Sequence, residues 1–283
     1  MRDIVTALTE VVIALFAVSS MLSVGLANRL MAVIRPLRWI QMVARILVAN
    51  FVLVPAVVLL LTWLIPIATP LRYGLILVSL GAGAPFFIKL SSTAGASLRL
   101  TASMLLLLLP TTIIVMPLAV PLLLPGAEAS PLAIATPLVL TMLLPLAVGL
   151  VVREQRPDLA RRLQPVMSKV ATVSLLALVI GTVAANLDAI VRVGWRAALV
   201  ALLTVLFAFT VGYLLGGLDP DNREVVGLGT GQRNIAAATV VASQSIGLPE
   251  TVVMVVVTSL IGLAVLFPIA RILWQREYAR HPG

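Results

Sequence analysis

The chain has 283 residues, 61% of them hydrophobic and only 11% charged, with a net charge of +9 and no Cys. A water-facing domain carries about 25% charged residues, so the composition excludes a soluble fold and points to an integral membrane protein. The missing Cys excludes disulfides and thiolate metal sites. A single His, His281 near the chain end, leaves no basis for a His-centred catalytic or metal site, and neither an enzyme nor a resident cofactor is expected.

A membrane span needs about 20 mostly apolar residues. Nine runs qualify, from Ile4 to Leu26, Trp39 to Leu64, Tyr73 to Ala94, Leu98 to Leu124, Leu132 to Val152, Val166 to Ala185, Trp195 to Leu215, Val225 to Ile246 and Thr251 to Leu273. None alternates with period two, which excludes barrel strands. The expected fold is therefore an all-α polytopic membrane protein with nine transmembrane helices, one transmembrane domain over 1–283. The first run is too long for a signal-peptide core. Trp39, Trp63, Trp195 and Trp274 fall at span ends, as an interfacial belt requires. Thr111 and Thr112 follow Pro110 and are expected to cap a kink.

The cations sit in the loops, so they speak for orientation rather than for a nucleic-acid partner. With the N-terminus outside, the cytoplasmic face receives Arg29, Arg35, Arg38, Arg45, Arg99, Arg153, Arg156, Arg161, Arg162, Lys169, Arg223, Arg271, Arg276 and Arg280. The outer face receives Arg2, Arg72, Arg192 and Arg196. That asymmetry predicts an outside N-terminus and a cytoplasmic C-terminus in the plasma (inner) membrane. Lys89 and Arg233 remain, and both fall inside spans.

Two spans are interrupted. In the third, Gly81, Gly83 and Pro85 come within five residues, followed by Lys89, Ser91 and Ser92. Gly is a poor helix former and Pro removes a backbone donor. One reading is a Pro kink with Lys89 reaching the inner interface; the other is an unwound crossover lining a polar site. In the eighth span, Gly227, Gly229 and Gly231 alternate before Gln232, Arg233 and Asn234. Small residues alone signify close helix packing, but the polar triplet does not fit that reading. An Arg at mid-membrane costs about 2.5 to 3.5 kcal/mol on insertion scales.

The eleven acids all lie in loops or at span ends, except Glu10 in the outer part of the first span. Lys89 and Arg233 thus lack an evident acidic partner, and a buried unpaired charge is costly. Either Lys89 is neutral, or a bound anion completes the site, or the cavity is wet. Backbone N–H groups freed by broken helices also favour anions. The residues point to a mid-membrane site for an anionic solute built on Arg233, with Lys89, Gln232, Asn234, Ser91 and Ser92 as further candidates.

Several stretches in order, "SSMLSVGL", "NFVLVP", "YGLILVSLGAGAP", "MLLPLAVGLVV", "VGYLLG" and "GTGQRNIAAATVVA", resemble the bile acid:sodium symporter family. The resemblance implies two inverted repeats, here 1–124 lacking one N-terminal helix and 130–274. It implies a panel of spans one, five and six, a core of spans two to four and seven to nine, and a crossing of the two broken helices. It also implies transport of organic anions, bile acid-like or small carboxylate solutes, coupled to sodium.

By the same resemblance, the positions equivalent to the sodium site are Asn50, Ile88, Thr101, Gly229, Thr230 and Arg233. The family's Glu is replaced by Gly229 and a Gln by Arg233, and a hydroxyl ligand is lost at Leu105. A cation at these positions repels sodium. The expectation is an organic-anion transporter, secondary active or facilitative, with weakened or absent sodium coupling. Restoring Glu at 229 and Gln at 233 together is expected to restore sodium sensitivity. The alternatives are a cation or proton antiporter of related architecture, for which no mid-membrane acid is visible, and a transport-inactive receptor for an anion.

Overall fold

The computed structural model describes residues 2–29, 40–124, 130–185 and 187–280. Met31, Arg35, Arg38, Trp39, Glu128, Asn186 and His281 lie outside the described residues. The rest fold into α1 (Arg2–Ala27), α2 (Ile40–Leu64), α3 (Thr69–Leu80), α4 (Phe87–Ala94), α5 (Leu98–Leu123), α6 (Pro131–Gln155), α7 (Pro157–Ala185), α8 (Leu187–Leu215), α9 (Pro220–Gly231), α10 (Ile235–Val241) and α11 (Pro249–Arg280). No strand occurs among the described residues.

Helix fills each apolar run, and the two runs rich in Gly and polar residues are each split in two, α3 from α4 and α9 from α10. Among the described residues five helical stretches are long and apolar enough to cross a membrane unaided: α2, α5, α6, Val193–Leu215 of α8 and Pro249–Gln275 of α11. The halves of the split runs fall short of that length because the breaks divide them. Within α8 the backbone leaves the helical region at Gly194 (φ 69°), next to the expected start at Trp195. Trp63, Trp195 and Trp274 are exposed, as an interfacial belt requires.

Proline shapes two of these helices without ending them. Its ring crowds the carbonyl four residues back and it offers no N–H. In α2 the strain is relieved by a π turn over Ala49–Leu53, ahead of Pro55, where the Val54 N–H reaches back to the Ala49 carbonyl. In α6 the same device precedes Pro145, with the Leu144 N–H on the Val139 carbonyl. A π turn carries wider backbone geometry than an α-helix, and here it holds Asn50 in the interior, fully buried.

Packing divides the helices into two groups. Helix α1 packs chiefly on α6 and α7. The others surround the two breaks: α9 lies on α8, α4 and α5, and α11 on α3, α4 and α8. Across the division α5 lies on α6, α10 meets α1 and α6, and α7 touches α11. Within the first group α1 and α6 touch backbone to backbone. A Cβ on Gly149 would stand 2.7 Å from the Leu22 carbonyl oxygen and 2.9 Å from the Gly25 Cα. Neither neighbour can yield, because both are main chain. Gly149→Leu is therefore expected to destabilise the fold by about 3 kcal/mol through overpacking; thermal unfolding in detergent measures it.

Candidate functional site: the crossing of the two broken helices

Residues 81–86 separate α3 from α4, and residues 232–234 separate α9 from α10. The two breaks meet. The Asn234 backbone N–H donates to the Gly81 carbonyl at 2.9 Å. Its side-chain Nδ2 donates to the Gly83 carbonyl at 3.0 Å, while its Oδ1 accepts the Ala237 N–H at 3.1 Å and caps α10. Thr112 of α5 serves Ala82 twice, accepting its N–H and donating to its carbonyl, each at 3.0 Å. Backbone freed by a broken helix must find such partners where no water can replace them.

The crossing is tight enough to require glycine. Gly83 has φ +75°, and a Cβ there would stand 2.9 Å from the Leu109 nitrogen. Thr111 behaves as its place after Pro110 suggests, donating to the Leu107 carbonyl at 2.8 Å. Thr112 does not cap a kink; its side chain faces the first break instead.

Arg233 lies in the second break and is only 5% exposed. Its NH1 donates to Asn50 Oδ1 at 3.2 Å. Asn50 Nδ2 in turn donates to Thr230 Oγ1 at 3.1 Å and to the Ile46 carbonyl at 2.9 Å. Among the described residues no carboxylate forms an ion pair with Arg233. Its Nε and NH2 have no partner, and neither has Gln232 Oε1.

Arg233 and Gln232 line a cavity with Val78 of α3, Thr204 and Ala208 of α8, and Thr258 and Ser259 of α11. The cavity holds about one water molecule. Each of the three hydroxyls donates to its own helix: Thr204 to the Val200 carbonyl at 2.7 Å, Thr258 to Met254 at 2.7 Å and Ser259 to Val255 at 2.8 Å. Nothing in the sequence marks these three residues, which sit in apolar helices far from either break along the chain.

The other candidates separate. Helix α4 buries Phe87, Leu90, Ser91 and Ala94, one stripe at helical spacing, and turns Lys89 and Ser92 outward, where both are exposed. Of the two readings of Lys89, its exposure agrees with a side chain reaching outward and not with one buried beside Arg233. Ile88 is half-buried. Ser91 is buried with its hydroxyl unpartnered. Thr101 is buried and donates to the Ser97 carbonyl at 2.8 Å.

At Gly229 the space is taken. A Cβ there would stand 2.6 Å from Phe87 Cζ and 2.8 Å from Met104 Cε and Sδ. A Glu at 229 therefore requires the ends of the Phe87 and Met104 side chains to move aside, which the flexible Met104 does more readily than the Phe87 ring.

The model of the sodium bile acid symporter family matches residues 12–193 of this chain. The chain belongs to the sodium bile acid symporter family. It is accordingly an integral membrane protein and a membrane transporter. Nothing among the curated proteins matches it. The family match takes in the first break and ends ahead of the second, so the residues around Arg233 stand on their own geometry. Sodium needs oxygen ligands and gains from a carboxylate, whereas this crossing presents a guanidinium on Asn50 and a methionine and a phenyl ring against Gly229.

Proposed function

We propose that the protein moves organic anions, bile acid-like or small carboxylate solutes, across the plasma (inner) membrane by alternating access and without sodium. The observation that carries this reading is the buried Arg233 guanidinium, held by Asn50 and left without an acid. A buried charge of this kind is destabilising unless something compensates for it. In a transporter the compensation is an anionic solute that comes and goes. Arg233 then supplies permanently the positive charge that a bound sodium ion supplies only transiently. A fixed charge removes the need for a sodium gradient and makes the solute's own gradient, or exchange, the driving force.

The division of the helices supports the mechanism. The group of α1, α6 and α7 serves as the panel and the remaining helices as the core, with the crossing carried by the core as it moves. The reading includes nine spans in two inverted repeats, 1–124 and 130–274. The loop cations support an outside N-terminus and a cytoplasmic C-terminus.

The test is flux. Purified protein in liposomes is given a radiolabelled bile acid or a short dicarboxylate, and uptake is compared with protein-free vesicles. Accumulation above the control is expected. Anion binding without any flux contradicts the reading and favours a receptor.

A further inference from the structure

Arg233 spends NH1 on Asn50 and leaves Nε and NH2 unpartnered. These two nitrogens form one edge of the guanidinium fork, the edge that takes anions side-on. Arg233 is more than nine-tenths buried and lines the cavity whose other walls come from α3, α8, α9 and α11. Among the described residues no wall comes from α1, α6 or α7. An organic solute carried between the two helix groups therefore does not occupy it, and its size, about one water molecule, excludes any carbon skeleton.

We propose that this cavity is a second anion site, built for a chloride-sized inorganic anion that the transporter exchanges against its organic substrate. The proposal rests on the reading of Arg233 as the charge that serves transport. Nε–H and NH2, sealed in the present arrangement, supply the donors when the guanidinium turns toward the cavity that Arg233 lines. The Ser259 hydroxyl, half-buried at the cavity wall, adds another when it turns from the Val255 carbonyl. Val78 and Ala208 make the remaining wall apolar, which keeps the local dielectric low and strengthens a charge-assisted bond.

One guanidinium carries one charge. A small anion on this edge offsets the charge that the organic anion meets at the crossing, and the organic anion weakens the small one by the same factor. Mutual weakening of two anions at one cation favours exchange over joint transport.

The test uses the full protein in detergent, with sodium sulfate, whose anion is too large for the cavity and is not a carboxylate, replaced stepwise by sodium chloride at constant ionic strength. Wild-type Tm is expected to rise saturably by about 3 °C or more, and Arg233→Gln is expected to lose the rise. Gly262→Val provides a variant that keeps the guanidinium. A Cβ there meets Val205 Cγ2 at 3.7 Å, an ordinary contact, and Gly262 lines the cavity, so the added side chain is expected to take up its space and the rise to vanish again. An absent rise in the wild type, or an equal rise in all three proteins, overturns the site. In liposomes, external chloride is expected to slow uptake of the organic anion. Arg233-dependent uptake that ignores chloride overturns the exchange and leaves the transport reading standing. Chloride binding lost with Arg233, in a protein that moves no organic anion, supports the site and removes the transport reading.

Discussion

Arg233→Gln is expected to lower initial uptake of the organic anion about 100-fold while leaving the protein folded. At an effective dielectric of about 20, a unit charge about 6 Å from an anion contributes roughly 3 kcal/mol, which is about two decades of affinity. The amide of Gln still carries N–H donors, set back from the position that NH1 now holds at Asn50 Oδ1. Stability should move the other way from transport. Removing a buried cation that lacks an acid relieves its burial cost, so Tm is expected to stay level or rise. A neutral variant that transports as fast as the wild type contradicts a role for the charge. A collapse in Tm makes Arg233 a structural residue.

Asn234→Ala is expected to produce the largest loss of stability in the core. The change deletes the α10 cap on the Ala237 N–H and the bond to the Gly83 carbonyl. A lost cap costs about 1 kcal/mol, and a buried carbonyl left without a donor about 1 to 3 kcal/mol. Together they lower stability by about 3 kcal/mol, or roughly 6 to 12 °C in Tm. The backbone bond from Asn234 N–H to Gly81 survives the change, so the breaks remain in contact and the variant separates side-chain support from main-chain contact. A Tm within about 2 °C of wild type means that the crossing does not depend on this side chain.

The helices and both breaks were legible because they are written locally. Apolar runs of span length name the helices, and Gly81, Gly83 and Pro85 name a place where a helix cannot continue. Arg233 is legible for the opposite reason, as a residue that an apolar helix does not otherwise carry. Its link to Asn50 and Thr230 joins residues some 180 positions apart, and only the resemblance to a known family brought these positions together beforehand.

What stayed hidden depends on facing and on volume. Lys89 shares a run with Ser91, yet two positions on a helix lie about 200° apart, and the structure buries Ser91 while exposing Lys89. The filling of the space at Gly229 by Phe87 and Met104 is a matter of tertiary packing between three helices, and no local pattern encodes it. Thr112 reads as one more hydroxyl beside a proline until the first break is placed against it.

The most direct measurement is the initial rate of organic-anion uptake by wild-type protein in liposomes, with external sodium replaced entirely by potassium at equal ionic strength. Arg233 as a fixed substitute for the ion predicts the same rate in both media. A strict requirement for sodium contradicts it.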